Sequence, residues 1–219
     1  MRDAVIFDVD GTLVDTTYLH AVCWWEAFRQ HDRHVPMADV HRAVGMGSDK
    51  LLDAVLPDDR DRADDDGMTS AHAVLYAQYH SRLRAFDGAA DLLRACHGRG
   101  ARTVLASSAA EEELRALRAA LDADDAIDAA TSSSDVKESK PAPDLVEAAV
   151  SRAGVDAGQA IFVGDAVWDV KAAARAGMPC VAVLSGGVPR ADLEEAGAVA
   201  VYADVAALLA DLDGSPLNG

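Results

Sequence analysis

The fold is decided by one stretch near the N-terminus, residues 4–12, which reads AVIFDVDGT. Its first four residues are apolar, and an apolar run of this length that ends in a turn signal is typical of a strand buried on both faces. Side chains alternate along a strand, so we expect Asp8 and Asp10 side by side at its C-terminal end, where Gly11 permits a sharp turn. Two close carboxylates favour a bound cation or one protonated group. Taken alone, the pair is equally typical of a turn.

Short apolar runs alternate with helical segments from residue 87 onward. The sequence predicts strands over residues 103–106, 127–130, 160–163, 181–184 and 198–202. Pro143 fits the first position of one intervening helix, and Gly154 and Gly177 fit helix ends. Strands that alternate with helices predict a doubly wound, parallel α/β sheet covered on both faces.

Residues 15–86 interrupt this alternation with helical patterns. Helices are predicted around residues 18–28, 38–44, 48–56 and 69–83, and the very polar run 58–67 is predicted to be a solvated loop. The sequence therefore predicts two domains. Residues 1–14 and 87–219 form the α/β core, and residues 15–86 form an inserted α-helical domain.

Composition excludes some partners and favours others. The chain has 37 acidic and 20 basic residues, a net charge of -17, which argues against nucleic-acid or anionic-membrane partners. A small anionic substrate would need a locally cationic site, for which a bound divalent metal is the first candidate. The three cysteines are far apart, and no signal peptide or membrane-spanning run is visible, so we expect a cytoplasmic protein. Monomer and homodimer both remain open.

Polar side chains follow several of the predicted strands. Ser107 and Ser108 follow the strand at 103–106, and Asp165 follows the strand at 160–163. Lys137 and Lys140 come after the strand at 127–130. Because parallel α/β sheets bind ligands beyond the carboxyl ends of their strands, we expect these groups to meet Asp8 and Asp10 at one edge.

These residues carry a family resemblance that covers essentially the whole chain. The DVDGT motif at 8–12, Ser107, the KPAPD motif at 140–144, and Gly164-Asp165 with Asp169 resemble the four motifs of the haloacid dehalogenase-like hydrolase superfamily. The resemblance implies a Rossmann-like core with a small helical cap, in the branch of phosphatases and β-phosphoglucomutases. An acid at the position of Asp10 favours phosphate-ester chemistry over dehalogenation.

The resemblance also implies roles for the matching residues. Asp8 would be the nucleophile that forms an aspartyl phosphate, and Asp10 would be the general acid and then the base. Mg²⁺ would be bound by Asp8, Asp165 and the backbone carbonyl of Asp10.

Phosphate would be bound by a serine and a lysine. Ser107 is the preferred serine with Ser108 as its competitor, and Lys140 is preferred to Lys137 because of its Lys-Pro-x-Pro context. Asp169 would orient Lys140 or a metal-bound water.

The predicted function is a Mg²⁺-dependent phosphomonoesterase acting on a small phosphorylated metabolite. One alternative is a sugar-phosphate mutase, since His20 and Trp24 match the mutase at this spacing, although residues 45–50 lack the arginine that grips its second phosphate. The other is a catalytically silent binding protein with the same fold. His20 is predicted either to face the substrate or to pack beneath the cap, and Lys50 is a candidate specificity residue.

Overall fold

The computed structural model describes all 219 residues of the chain and is organised around one parallel sheet. The predicted doubly wound α/β fold is confirmed. Six strands pair in the spatial order 3-2-1-4-5-6, all parallel. They are β1 (Ala4–Phe7), β2 (Arg102–Ala106), β3 (Ala129–Thr131), β4 (Ala160–Gly164), β5 (Cys180–Val183) and β6 (Ala200–Tyr202). The strand predicted over 127–130 is thus shorter and shifted toward Thr131.

Helices fall into two groups along the chain. The first four lie within residues 15–86 and are α1 (Thr17–Gln30), α2 (Met37–Ala43), α3 (Ser48–Val55) and α4 (Asp65–Ala77). The others cover the sheet and are α5 (Ala89–Gly98), α6 (Glu111–Leu121), α7 (Asp144–Ala153), α8 (Val167–Arg175), α9 (Arg190–Ala196) and α10 (Val205–Ala210). Helix α9 was not predicted. No helix combines the length and the apolar character that crossing a bilayer requires.

Two apolar layers hold the sheet between the helices. Along β1, Val5 and Phe7 join a cluster of 27 buried residues that includes leucines of α5 and α6. Ala4 and Ile6 point the other way and join a cluster of 17 buried residues that includes leucines and alanines of α7 and α8. Both faces of β1 are therefore covered, which explains why its sequence is a continuous apolar run.

The strand order reverses at β1, and this places the candidate site. β1 pairs with β2 on one side and with β4 on the other. The chain leaves the C-terminal ends of these three strands at the same edge, and a crevice opens where the connections diverge. Residues after Phe7, Ala106 and Gly164 are thereby brought together.

The helical insertion, residues 15–86, has a core of its own. Eleven buried residues form this cluster, among them Trp24, Phe28, Leu51 and Met68. The prediction that 58–67 is only a solvated loop was wrong, since α4 already begins at Asp65.

Charge pairing explains the earlier start of α4. The Arg60 side chain is buried and donates to Asp53 at 2.6 Å and to Asp65 at 2.9 Å. Asp65 and Asp66 also lie in the first helical turn, where negative charge is favourable. Asp65 and Asp66, whose polar surroundings in the sequence are typical of a loop, therefore form the first turn of a helix.

Replacing Phe28 by alanine tests the separate core of the insertion. Phe28 is fully buried, so Phe28→Ala should lower the free energy of unfolding by about 3–5 kcal/mol. Urea denaturation followed by circular dichroism measures it. The exposed Gln30 at the end of the same helix provides the control, and Gln30→Ala should change stability by less than about 0.5 kcal/mol. Equal effects of the two substitutions would contradict the described packing.

Candidate active site

Asp8 lies at the end of β1, almost completely buried. Its backbone N–H donates to the Val163 carbonyl at 2.9 Å, continuing the β1–β4 ladder by one residue. The chain then turns at Gly11, where φ is +77° and an added Cβ would lie 2.2 Å from Thr17 Oγ1. Only glycine fits this turn, because both the backbone conformation and the space exclude a side chain.

Lys140 joins Asp8 to the fourth motif. Its ammonium Nζ donates to Asp8 Oδ1 at 2.7 Å and to Asp169 Oδ1 at 2.8 Å, and the side chain is 1% exposed. Burial alone would lower the pKa of Lys140, but the charges of Asp169 and Asp8 outweigh it and raise the pKa above its usual value. Lys137, its rival in the sequence, is exposed. The structure therefore brings Lys140, and not Lys137, into contact with Asp8.

Three carboxylates converge beside this lysine. Ligand atoms of Asp8, Asp165 and Asp169 all lie within 4.8 Å of one another, and all three side chains are buried. Burial, with help from neighbouring carboxylates, raises the pKa of Asp8 well above its ordinary value and that of Asp165 to about 7. A set of buried oxygen ligands with excess negative charge suits a hard divalent cation such as Mg²⁺.

Hydrogen bonds leave two of the three carboxylates available to a cation. Asp169 uses Oδ1 for Lys140 and Oδ2 for the backbone N–H groups of Asp165 and Ala166. Asp8 and Asp165 each keep oxygen atoms that no protein donor contacts, since Asp165 accepts only from Thr12 Oγ1, at 2.9 Å. Asp8 and Asp165, the two predicted carboxylate ligands, therefore each have an oxygen free to bind a metal ion.

Asp10 occupies a different environment from Asp8. Its Oδ1 accepts from Thr16 Oγ1 at 2.7 Å and lies 3.2 Å from His20 Nε2, while Ser107 Oγ lies 3.4 Å from Oδ2. Burial opposes ionisation, but the hydrogen bond and charge of His20 prevail and lower the pKa of Asp10. The two aspartates are thus separated in partners as well as in position, as a division of chemical roles requires.

His20 links Asp10 to the helical insertion. Its Nδ1 lies 3.1 Å from His72 Nε2 on α4, and its Nε2 also lies 3.4 Å from Glu113 Oε1 at the start of α6. Burial and then the charge of His20 lower the pKa of His72 to about 2, so His72 is neutral. Both histidines line the cavity. His20 therefore lines the cavity and also packs against Tyr76 of the helical insertion, and the prediction that it faces the substrate stays a prediction.

The two serines after β2 have different surroundings. Ser107 is fully buried, and its Oγ accepts from the Ala109 N–H at 3.0 Å in addition to its contact with Asp10. Ser108 lines the cavity, and its Oγ is buried without a hydrogen-bond partner. A buried hydroxyl without a hydrogen-bond partner is unfavourable unless a bound ligand supplies that partner. Ser108 is therefore the serine with a free donor toward the cavity.

A cavity of about 340 Å³ lies between the sheet edge and the helical insertion. Two hydrogen-bonding contacts join the insertion to the α/β core: Ser139 Oγ donates to Asp49 at 2.6 Å, and His41 Nε2 lies 2.9 Å from the Gly186 carbonyl oxygen. Lys50 does not line the cavity, and its Nζ lies 3.3 Å from Glu138 Oε2 instead. Lys50 therefore makes no contact with the cavity that would support its predicted role in specificity.

Some residues of the site were not identified in the sequence. Three of them contact a predicted site residue: Glu113, His72 and Thr12. The fourth, Gly186, leaves space for the side chain of Asp165. A Cβ on Gly186 would lie 1.7 Å from Asp165 Oδ2. Two of the four had a signal in the sequence: Thr12 ends the DVDGT motif, and Gly186 belongs to a Gly-Gly pair after β5, which neighbours β4 at the same edge.

Comparison with known proteins agrees with this geometry. The model of the family described as haloacid dehalogenase-like hydrolase matches residues 2–177. The phosphoglycolate phosphatase of Rhodospirillum rubrum is 33% identical over 217 residues, covering 95% of this chain and 90% of the relative. The fructose-1-phosphate phosphatase of Escherichia coli is 28% identical, covering 82% of this chain and 95% of the relative. The crystal structure of a hydrolase from Pseudomonas syringae superposes with a TM-score of 0.92 at 31% identity, covering 97% of this chain and 99% of that one.

Gly186→Ala tests whether Asp165 belongs to a cation site. The added methyl group should force the Asp165 carboxylate out of the cluster and weaken Mg²⁺ binding by at least about tenfold. Isothermal titration with magnesium chloride measures the affinity. Gly158→Ala is the matched control, because an added Cβ there has no atom within 4 Å. Unchanged Mg²⁺ affinity in Gly186→Ala would exclude Asp165 as a ligand.

Proposed function

The chain belongs to the haloacid dehalogenase-like hydrolases, and from this membership we propose that it is a Mg²⁺-dependent phosphomonoesterase acting on a small phosphorylated metabolite. The observation that carries the proposal is the separation of Asp8 from Asp10. Asp8 pairs with the Lys140 ammonium, whereas Asp10 faces the cavity with Thr16 and His20. One carboxylate is held for attack, and the other is held for proton transfer.

Asp8 is the proposed nucleophile. One of its oxygens attacks phosphorus, the bond from phosphorus to the leaving alkoxide oxygen breaks, and an aspartyl phosphate forms. Burial raises the pKa of Asp8, and the charge of Lys140 acts against this and favours the ionised carboxylate that the attack needs. Lys140 also offsets the charge of the incoming phosphate. Burial of both side chains strengthens this interaction, because water does not screen it.

Asp10 is the proposed acid and base. It donates a proton to the departing oxygen and later takes one from the water that attacks the aspartyl phosphate, which regenerates Asp8 and releases phosphate. His20 Nε2, 3.2 Å from Asp10 Oδ1, is placed to exchange a proton with it. The Thr16 hydroxyl holds the same carboxylate oxygen in position.

Asp8, Asp165 and the backbone carbonyl of Asp10 are the proposed ligands of Mg²⁺. The cation would supply positive charge against the phosphate oxygens. Thr12 and Gly186 position Asp165 for this role, the first through a hydrogen bond and the second by leaving space. Asp169 orients Lys140 through its own hydrogen bond.

We propose that Ser108 and Lys140 bind the phosphate and that Ser107 holds Asp10 in position. Support for the first comes from the unpaired Ser108 hydroxyl at the cavity wall. Support for the second is the contact of Ser107 Oγ with Asp10 Oδ2 at 3.4 Å. Residues 15–86 act as a cap that excludes water from the cavity during the reaction.

The mutase alternative is less well supported by the cavity. A mutase must hold a second phosphate, and arginine is the side chain suited to bidentate phosphate binding. None of the 24 residues that line the cavity is an arginine. The catalytically silent alternative requires loss of the reacting groups, whereas Asp8, Asp10, Lys140 and Asp165 all meet at one site.

The Asp8→Asn substitution tests the proposed nucleophile. It should reduce phosphate release from 4-nitrophenyl phosphate with Mg²⁺ by at least about a thousandfold, because an amide does not form the acyl phosphate. Asp10→Asn should give a comparable loss. Asp15→Asn is the control, since Asp15 is exposed, and it should retain the parental rate. A parental rate in Asp8→Asn would refute the mechanism.

Alanine substitutions at Ser108 and Ser107 test the two proposed roles separately, phosphate binding by Ser108 and positioning of Asp10 by Ser107. Ser108→Ala should raise the inhibition constant of inorganic phosphate and the KM by about tenfold or more, because a hydrogen bond to a charged ligand is lost. Ser107→Ala should act mainly on kcat, through Asp10. Ser151→Ala, on the exposed face of α7, is the control for steady-state kinetics. A pure kcat effect in Ser108→Ala would contradict the assignment.

A further inference from the structure

The part of the cavity away from the phosphate site is bordered by Glu113. This residue is the third of three consecutive glutamates that open α6. Glu111 and Glu112 are exposed, but the Glu113 side chain turns inward, is 18% exposed, and lines the cavity. A favourable interaction with the helix N-terminus does not explain this orientation, since the two exposed glutamates already supply it. The inward turn points to a role toward the cavity.

Few charges remain in the cavity once the reacting groups are set aside. Asp8, Asp10 and Lys140 belong to the phosphate end. The other ionisable side chains of the lining are the acids Asp49 and Glu113, the pair His20 and His72, and Lys137.

The histidines do not add a free positive charge. His20 is shared between the carboxylates of Asp10 and Glu113, at 3.2 and 3.4 Å. His72 is neutral because burial and then the charge of the neighbouring His20 lower its pKa. Asp49 and Lys137 are exposed, so Glu113 is the acid of this part of the cavity that acts from a largely buried position.

We propose that Glu113 makes this cavity select phosphate esters whose alcohol portion is uncharged and hydroxylated, and disfavour esters that carry a carboxylate. The proposal rests on the phosphomonoesterase function above and names its substrate class. A carboxyl group accepts hydrogen bonds from substrate hydroxyls, and the Glu113 oxygens are not saturated by protein donors, since only His20 contacts them. Burial raises the pKa of Glu113 to about 7, so above that pH a substrate carboxylate in the same place meets like charge in a partly buried site, where repulsion is weakly screened.

Lys137 is the one lining group that would favour the opposite selection. It is exposed, and no acidic side chain lies within ion-pairing distance of it. Its charge is screened by water, whereas that of Glu113 acts from a largely buried position. We therefore expect Glu113 to dominate, and the two residues can be tested against each other.

Matched pairs of esters test the selection directly. 2-Phosphoglycolate and 2-hydroxyethyl phosphate differ only in a carboxylate against a hydroxymethyl group, and 3-phosphoglycerate and glycerol 3-phosphate differ in the same way. With Mg²⁺, phosphate release as the readout and a pH above the Glu113 pKa of about 7, the parent should show kcat/KM at least about tenfold higher for the hydroxylated member of each pair. Both substrates are measured on one preparation, so partial misfolding of a variant cancels in the ratio.

Substitution at Glu113 should change that ratio. Glu113→Gln keeps the shape and removes the acidic group, and it should shift the ratio by about tenfold toward the carboxylate ester. Glu112→Gln, one position earlier and exposed, should leave the ratio unchanged. An unchanged ratio in Glu113→Gln overturns the proposal.

The remaining outcomes separate this inference from the function it rests on. If the parent prefers the carboxylate esters and Lys137→Gln abolishes that preference, Lys137 determines selection and the inference fails while the phosphomonoesterase function stands. If no ester of either pair and no 4-nitrophenyl phosphate releases phosphate with Mg²⁺, the proposed function fails, and the inference fails with it.

Discussion

The buried ammonium of Lys140 between Asp8 and Asp169 is the interaction on which the rest of the site depends. Removing a lysine from water is unfavourable, and it is tolerated only when opposite charges and hydrogen bonds replace the lost solvent. Lys140 has both, at 2.7 and 2.8 Å. The two acceptors belong to different parts of the sheet edge. Asp8 directly follows β1, and Asp169 lies on α8, the helix that follows β4. The parallel pairing of β1 with β4 therefore holds the charges together, and an ordered sheet edge is a condition for the cluster.

The same geometry explains how two similar side chains acquire different chemistry. Asp8 is surrounded by carboxylates and a lysine beneath the sheet edge, where burial raises its pKa. Asp10, two residues later, lies beyond the turn and meets Thr16 and His20, which lower its pKa. Thr16 precedes α1 and His20 lies on it, so the helical insertion supplies the partners that distinguish the second aspartate from the first. The insertion is thus joined directly to Asp10 through these two side chains.

Sequence patterns predicted the sheet and the polar residues at the ends of its strands because those features are local. An apolar run followed by a polar group marks each strand end, and the parallel arrangement then brings Asp8, Ser107 and Asp165 together. The missed features depend on contacts between distant segments. His72 approaches His20 across 52 residues, and Asp65 begins a helix because a buried Arg60 pairs with it. The choice between Ser107 and Ser108 depends on which hydroxyl finds a partner, and adjacent identical residues give no sign of that.

The alcohol end of the cavity is built from other elements than the phosphate end, and this limits what relatives can tell about the substrate. Asp8, Lys140 and Asp165 lie at strand ends or in the loops that follow, where the family motifs are found. Glu113 lies on α6, His72 on α4, and Lys137 in a loop, all outside those motifs. A chain can therefore share the catalytic residues of a relative while its cavity favours another alcohol. An inward-facing glutamate is a poor neighbour for the carboxylate of phosphoglycolate, so shared catalytic residues and shared substrate are separate questions in this fold.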